Sequence, residues 1–478
     1  LTMTTMPSNE SSFFQHKRRS CHVYIKSSSP FNETNDETNL NFLRHKNTTL
    51  ELIRPNTTVT RTYEVDGIFT SSPKDYYQEK IQPCVLESLK NNCNLLLWSF
   101  GTRQTGKTRI LFGSKHSDDK HESDDGWIDQ IALDINQQYS TKSEIKEEEG
   151  GGTIEKVIVS MSYVCITADD AEQAYDCLSS SAKPLTRIRQ DTASSNIFYL
   201  ERTTQVVVQD LQDIQYLLQT GSVFERIELN EKRVHRLITF TVYKCFTNGD
   251  VVSFVLQAMD LSGADRPTNT TTQAKGGTTT AAQRRQQPQR LKTRPLQRKN
   301  KEDKTLRAIS RIIDGLSNGD QHIPYRDSKL TRLACRGFEY ENDTTINLAV
   351  IGISAVEESM YDEACAMMEF GKKIRSIDSK KKENKKTGTG AGISLTNRVN
   401  DLNSAKERVM NLSDKCGYPT NTEQKLTSSD IQLDMSSSMD LVELRDALVQ
   451  VEILEVDPIL EMTEKSHLWW KERDRKNE

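Results

Sequence analysis

Apolar positions along the chain switch between two periods, and the switches outline an α/β protein. Continuous or alternating apolar runs predict strands over 21–25, 95–100, 157–166, 204–209, 237–243, 251–259 and 346–353. Helical spacing predicts helices over 76–89, from 109 onward, and over 211–218, 304–316 and 357–374. The clearest is 304–316, where Leu306, Ile309, Ile312, Ile313 and Leu316 fall on one stripe. Asn248-Gly249 between two β-rich runs signals a hairpin. Acidic, polar stretches at 114–125 and 142–152 read as surface loops. Strands alternating with helices predict a central sheet covered on both faces.

The strand over 95–100 runs into Gly101-Thr102-Arg103-Gln104-Thr105-Gly106-Lys107-Thr108, the pattern GxxxxGK[ST], and then into a helix. A phosphate-binding loop needs that order: backbone N–H groups face the phosphates, Lys107 adds a mobile positive charge, and the Thr108 hydroxyl can ligate Mg²⁺. The pattern alone also arises as a chance Gly/Lys/Thr turn. A second feature follows in the expected order: Asp260-Leu261-Ser262-Gly263, a DxxG closing an apolar strand. Ligands of nucleotide-binding sheets sit at this edge. Asp260 there can hold Mg²⁺, and Gly263 lets a backbone N–H approach a γ-phosphate.

Composition narrows the class. Only 35% of the 478 residues are hydrophobic and mean hydropathy is -0.67, which fits one large domain with polar tails. The nine cysteines form no CxxC pair and read as reduced thiols of a cytosolic protein, excluding a disulfide framework or zinc site. No window holds 18 consecutive apolar residues, which excludes a helical membrane span. Lys17-Arg18-Arg19 lacks the apolar run of a secretory signal, and Leu1 in place of a methionine points to a fragment or an imperfect gene model. Net charge is -4, yet 266–301 carries ten Lys or Arg and no Asp or Glu, leaving about -14 on the remainder. That strip is either a solvated linker or an electrostatic tether for a polyanion. It holds no aromatic residue to stack bases, which argues against nucleic acid.

The segment His322-Ile323-Pro324-Tyr325-Arg326-Asp327-Ser328-Lys329-Leu330-Thr331-Arg332-Leu333 resembles the most recognisable stretch of the kinesin motor domain. Around it the order is also similar to kinesin. GTRQTGKT at 101–108 resembles the family's GQTGSGKT, DLSGAD at 260–265 its DLAGSE, DKTL at 303–306 its NKSL, and 367–377 its closing helix. The resemblance implies a P-loop NTPase fold: an α/β architecture with a central, mostly parallel sheet flanked by helices, with disordered insertions and tails. It implies ATP and Mg²⁺ as cofactors, microtubules as partner, a cytoplasmic, cytoskeletal location and microtubule-stimulated ATP hydrolysis driving movement. By position, residues 101–108 would cradle the nucleotide, Thr108 and Asp260 its Mg²⁺, while Asp260 and Gly263 would sense the γ-phosphate. Arg326, Lys329 and Arg332 would face the microtubule, as would the basic strip with Arg284, Arg285 and Arg290. The organisation implied is a lead over 1–20, a motor-like domain over 21–379 with 266–301 inserted, a polar linker over 380–437 and a helical segment over 438–478.

Departures cluster in the catalytic machinery. Gln104 stands at a glycine of the phosphate loop, and Ser27-Ser28-Ser29-Pro30 aligns with RxRP, so both arginines are missing. The family's NxxSSRSH aligns with Asn230-Glu231-Lys232-Arg233-Val234-His235-Arg236-Leu237, replacing all three serines. The family's Arg–Glu bridge between its switches becomes His235 with Asp265. Phosphoryl transfer depends on positioning and charge neutralisation, so hydrolysis is expected to be impaired. Two readings stand: a motor with a degenerate switch, or a catalytically inactive microtubule-binding scaffold. A misaligned switch is the competing explanation. Leu441, Leu444, Leu448 and Val451 make a seam too short for a coiled coil before Pro458, which leaves the oligomeric state open. Trp469-Trp470 suits a helix cap or partner contact.

Overall fold

The structure is a computed structural model that describes residues 19–26, 38–40, 42–46, 48–70, 73–103, 105–113, 125–140, 147–148, 152–179, 181–185, 187–190, 198–229, 232–247, 251–263, 303–338, 345–354, 360–377, 409–411 and 458–477. Residues 27–30, Gln104, Asp265, the basic strip 266–301 with Arg284, Arg285 and Arg290, the seam 441–451 and nearly all of the linker 380–437 lie outside the described residues.

Nine strands carry the main sheet: β1 (Arg19–Lys26), β2 (Gly67–Phe69), β3 (Asn94–Gly101), β4 (Gly152–Thr167), β5 (Ala174–Asp176), β6 (Val206–Val208), β7 (Val234–Phe246), β8 (Val251–Asp260) and β9 (Thr345–Ser354). Their order is β5-β4-β7-β8-β3-β9-β1-β2, with β6 and the two-residue strand Glu147–Glu148 paired on β4. That short strand lies in the stretch expected to be a loop. From β8 to β2 all neighbours are parallel, whereas β8, β7, β4 and β5 run antiparallel. The central strands β3 and β9 are buried almost end to end, as parallel strands covered on both faces must be. The predicted hairpin is β7–β8, in antiparallel register from Arg236↔Asp260 to Cys245↔Val251.

Helices cover both faces. On one lie α1 (Gln82–Asn91), α2 (Lys107–Phe112), α3 (Trp127–Ser140) and α4 (Leu211–Glu228), packing Val85, Leu89, Leu111, Trp127, Ile131 and Leu217. On the other lie α5 (Lys304–Asn318), α6 (Lys329–Leu333) and α7 (Tyr361–Ser376), with Ile309, Ile312, Leu330 and Met368 against Leu96, Trp98 and Ile351. The helix expected over 76–89 begins earlier, as an α-helical turn at Pro73–Tyr76, and passes through a π-turn, Tyr77–Ile81, before α1. The one expected over 211–218 continues to Glu228, because Leu217, Leu218 and Gly221 still face the sheet. Strand β1 begins at Arg19, inside the lead assigned to 1–20. A last helix, α8 (Pro458–Asn477), packs on β6. No described helix is long and apolar enough to cross a membrane.

Candidate nucleotide site

The phosphate loop leaves β3 through two glycines. Gly101 has φ +145 and lies in register with Gly352 of β9, where a Cβ would fall 2.4 Å from the Gly352 carbonyl oxygen. A Cβ on Gly352 would meet Thr105 Oγ1 at 2.6 Å, so both strands must be bare for the loop to lie across them. Gly106 has φ +83 and starts α2, a left-handed turn that a side chain would strain. Lys107 is 5% exposed, and its Nζ donates to the Thr102 carbonyl at 2.5 Å and Thr105 Oγ1 at 3.1 Å. Burial pulls its ammonium down to about 8, against a raising influence from Asp260.

Asp260 ends β8 beside the loop and is 1% exposed. Its Oδ1 accepts from Ser99 Oγ at 2.8 Å, and its Oδ2 accepts from Thr108 Oγ1 at 2.7 Å and from Arg236 Nη1 at 2.7 Å. Arg236 is the directly opposed residue on β7, so hairpin register places the guanidinium there. Its other edge forks onto Glu225 in the last turn of α4, with Nε donating to Oε2 at 2.8 Å and Nη2 to Oε1. Burial opposes the guanidinium's charge, and Asp260 and Glu225 outweigh it, keeping it a cation.

Gly263 touches the loop: a Cβ on it would lie 2.6 Å from the backbone N of Arg103. Arg233 Nη2 donates to the Gly263 carbonyl at 2.5 Å. His235 is fully buried on the opposite side of β7 from Arg236. Its Nδ1 accepts the Ser262 N–H at 3.1 Å, and its Nε2 faces Asp303 Oδ2 at 3.1 Å. Among the described residues the carboxylate that meets His235 is Asp303; Asp265, the partner expected from the alignment, lies outside them. Asp303 is also the N-cap of α5, accepting from the Leu306 N–H. Burial alone would raise its carboxyl, but His235, the Leu306 N–H and the Ser262 hydroxyl hold it below the usual range.

Thr108 and Asp260, the pair expected to hold Mg²⁺, do meet. The donor set nevertheless does not fit a divalent cation. Asp260 Oδ2 already carries the Thr108 hydroxyl and a full positive charge, and the positions of the paired serines hold Arg233 and Val234. A metal would have to expel Arg236 and leave Glu225 without its counter-charge.

A family model described as the kinesin motor domain matches residues 24–377. The chain belongs to the kinesin motor-domain family. It is 27% identical over 348 residues to kinesin-like protein KIF3C of Bos taurus, covering 68% of this chain and 40% of that protein. Against the kinesin heavy chain of Syncephalastrum racemosum it is 25% identical over 333 residues, covering 67% and 31%. The chain thus spans well under half the length of these curated relatives. A solved structure of a fast kinesin superposes with TM-score 0.58 at 18% identity, covering 78% of this chain and 98% of that one. The fold is that of a kinesin motor: a mixed, mostly parallel central sheet flanked by helices.

In this kinesin the HIPYRDSKLTRL segment forms a 3-10 turn and the short helix α6. Arg326 is exposed, lies over the Phe198 ring and donates to Gln190. Lys329 and Arg332 are half-buried. Arg332 donates twice to the Arg326 carbonyl, and Lys329 lies beside Glu172, with burial drawing its ammonium down against Glu172's pull. Of the three residues expected to face the microtubule, Arg332 thus also holds the turn together. Five residues of the site carried no role in the sequence pattern: Ser99, Glu225, Asp303, Gly352 and Arg236 as an ion-pair former. Arg236 stood out only as a lost serine, and Gly352 only as a glycine inside an apolar strand.

Proposed function

We propose that this chain is a kinesin-like, microtubule-binding protein whose P-loop binds ATP but hydrolyses it slowly. The observation carrying this reading is Arg236, bonded to Asp260 and Glu225 on the strand where the family pattern has a switch serine. Lys107 would engage the phosphates by giving up its bonds to Thr102 and Thr105. Gly263, with no side chain between it and Arg103, would let the second switch close on the terminal phosphate. What is weakened is the placement of an attacking water. The paired switch serines are Arg233 and Val234, and Arg233 is spent on the Gly263 carbonyl.

The second reading, an active motor, is favoured by one specific feature. Lys107, Thr108, Asp260 and Gly263 converge as phosphate chemistry requires. The test is steady-state ATP turnover of the full chain with and without microtubules, using Lys107→Ala as blank. The expected result is turnover within about twofold of the blank, with microtubule pelleting retained. Stimulation of about tenfold or more above the blank would make the chain a working motor.

A further inference from the structure

Asp260 is a buried carboxylate, and burying one demands a counter-charge. Here the counter-charge is covalently part of the chain. The guanidinium of Arg236 spans two carboxylates, one edge on Asp260 and the other forked on Glu225. The same Asp260 oxygen accepts the Thr108 hydroxyl, so Arg236 occupies the cation position of the Thr108–Asp260 pair. Three elements converge to hold it: β8 supplies Asp260, β7 places Arg236 opposite by register, and the last turn of α4 supplies Glu225. Lys107 bonds to Thr102 of the loop, Arg233 to Gly263 and Arg236 to Asp260, so three side-chain cations are anchored on the residues assigned to the nucleotide. Guanidinium is weakly hydrated and carries a rigid fork of donors, which suits it to polyphosphate in a dry site.

We propose that Arg236 is the resident cation of this site and that the chain binds nucleoside polyphosphate without a divalent metal. Arg236 is a positioning residue: it neutralises Asp260 and fixes Thr108 beside the loop. The proposal rests on the nucleotide-binding reading, and the experiment separates the two.

The affinity of the full chain for a fluorescent ATP analogue would be measured in excess EDTA and in millimolar Mg²⁺. The wild type is expected to differ between the two by less than about threefold. Arg236→Ser, which frees Asp260 for a metal, is expected to bind at least about tenfold more weakly in EDTA than in Mg²⁺. Arg236→Lys retains the charge and is expected to stay metal-independent. A wild type that loses about tenfold or more on chelation overturns the proposal while leaving nucleotide binding intact. Binding in neither buffer removes the nucleotide reading and the proposal with it. If Arg236→Ser remains metal-independent, the assignment to Arg236 is wrong. Should Arg236→Ser fail to fold, the wild-type comparison decides the matter without it.

Discussion

Lys107 shows how one buried side chain sets a measurable property. Its ammonium is drawn down to about 8 because burial costs more than Asp260 returns. Phosphate needs the protonated form. Below that value the free protein carries the charge and affinity is level; above it the proton must be regained on binding, and affinity falls. Nucleotide affinity is therefore expected to drop by up to about tenfold per pH unit above 8, and Lys107→Arg, always charged, to show a flat profile. A wild type equally flat from pH 7 to about 9.5 would contradict it. At this scale the loop residues were legible, since GxxxxGK[ST] specifies its chemistry locally. The partner of His235 was not. Alignment offered Asp265, which lies outside the described residues, whereas Asp303, 68 positions away, reaches His235 only after β7 and α5 pack.

Among the elements, the switch segment differs most from expectation. Its second half, 234–237, is the start of β7, which begins three residues before the strand expected from 237, and strand register then pairs Arg236 with Asp260. The C-terminal helix α8 has a simpler role. Among the described residues, strand β6 pairs with β4 along one side only, which leaves the Val207 N–H and carbonyl open to a partner other than a strand. Helix α8 satisfies both. Ser466 Oγ accepts the Val207 N–H at 2.7 Å, and Trp470 Nε1 donates to the Val207 carbonyl at 3.0 Å. Trp469 Nε1 donates to the Leu178 carbonyl at 2.9 Å, and Arg473 lies over Trp470. Trp469-Trp470 therefore makes a contact within the chain. Replacing both with Ala is expected to loosen α8 by about 2–4 kcal/mol, given their partial burial. Hydrogen exchange should then rise in α8 and at Val207 while β3 and β9 stay protected. Unchanged exchange at Val207 would mean the helix does not guard that edge.

For the whole molecule, charge is distributed unevenly, with ten basic residues in 266–301 and about -14 elsewhere. A basic strip that directly follows the second switch in sequence would draw the chain to an acidic polymer regardless of nucleotide. Exposed charges are screened over about 10 Å at 0.1 M salt and about 3 Å at 1 M. Microtubule pelleting is therefore expected to weaken steeply with added salt and to depend little on nucleotide. Deleting 267–300 should remove the salt-sensitive part. Binding that responds to nucleotide and not to salt would place the contact on the folded face around Arg326 instead.

Sequence alone determined what depends on neighbours along the chain. The strand–loop–helix of the phosphate loop, the β7–β8 hairpin and the α5 stripe follow from local period and turn chemistry, and the kinesin-like segments lie in family order. Tertiary structure decided which distant charges meet. Arg236 could be read as a missing serine, but not as a cation held between Asp260 and Glu225, because that pairing needs strand register and the far end of α4 together. Ion pairs in a packed core form between groups that folding brings close, and chain spacing does not encode that proximity.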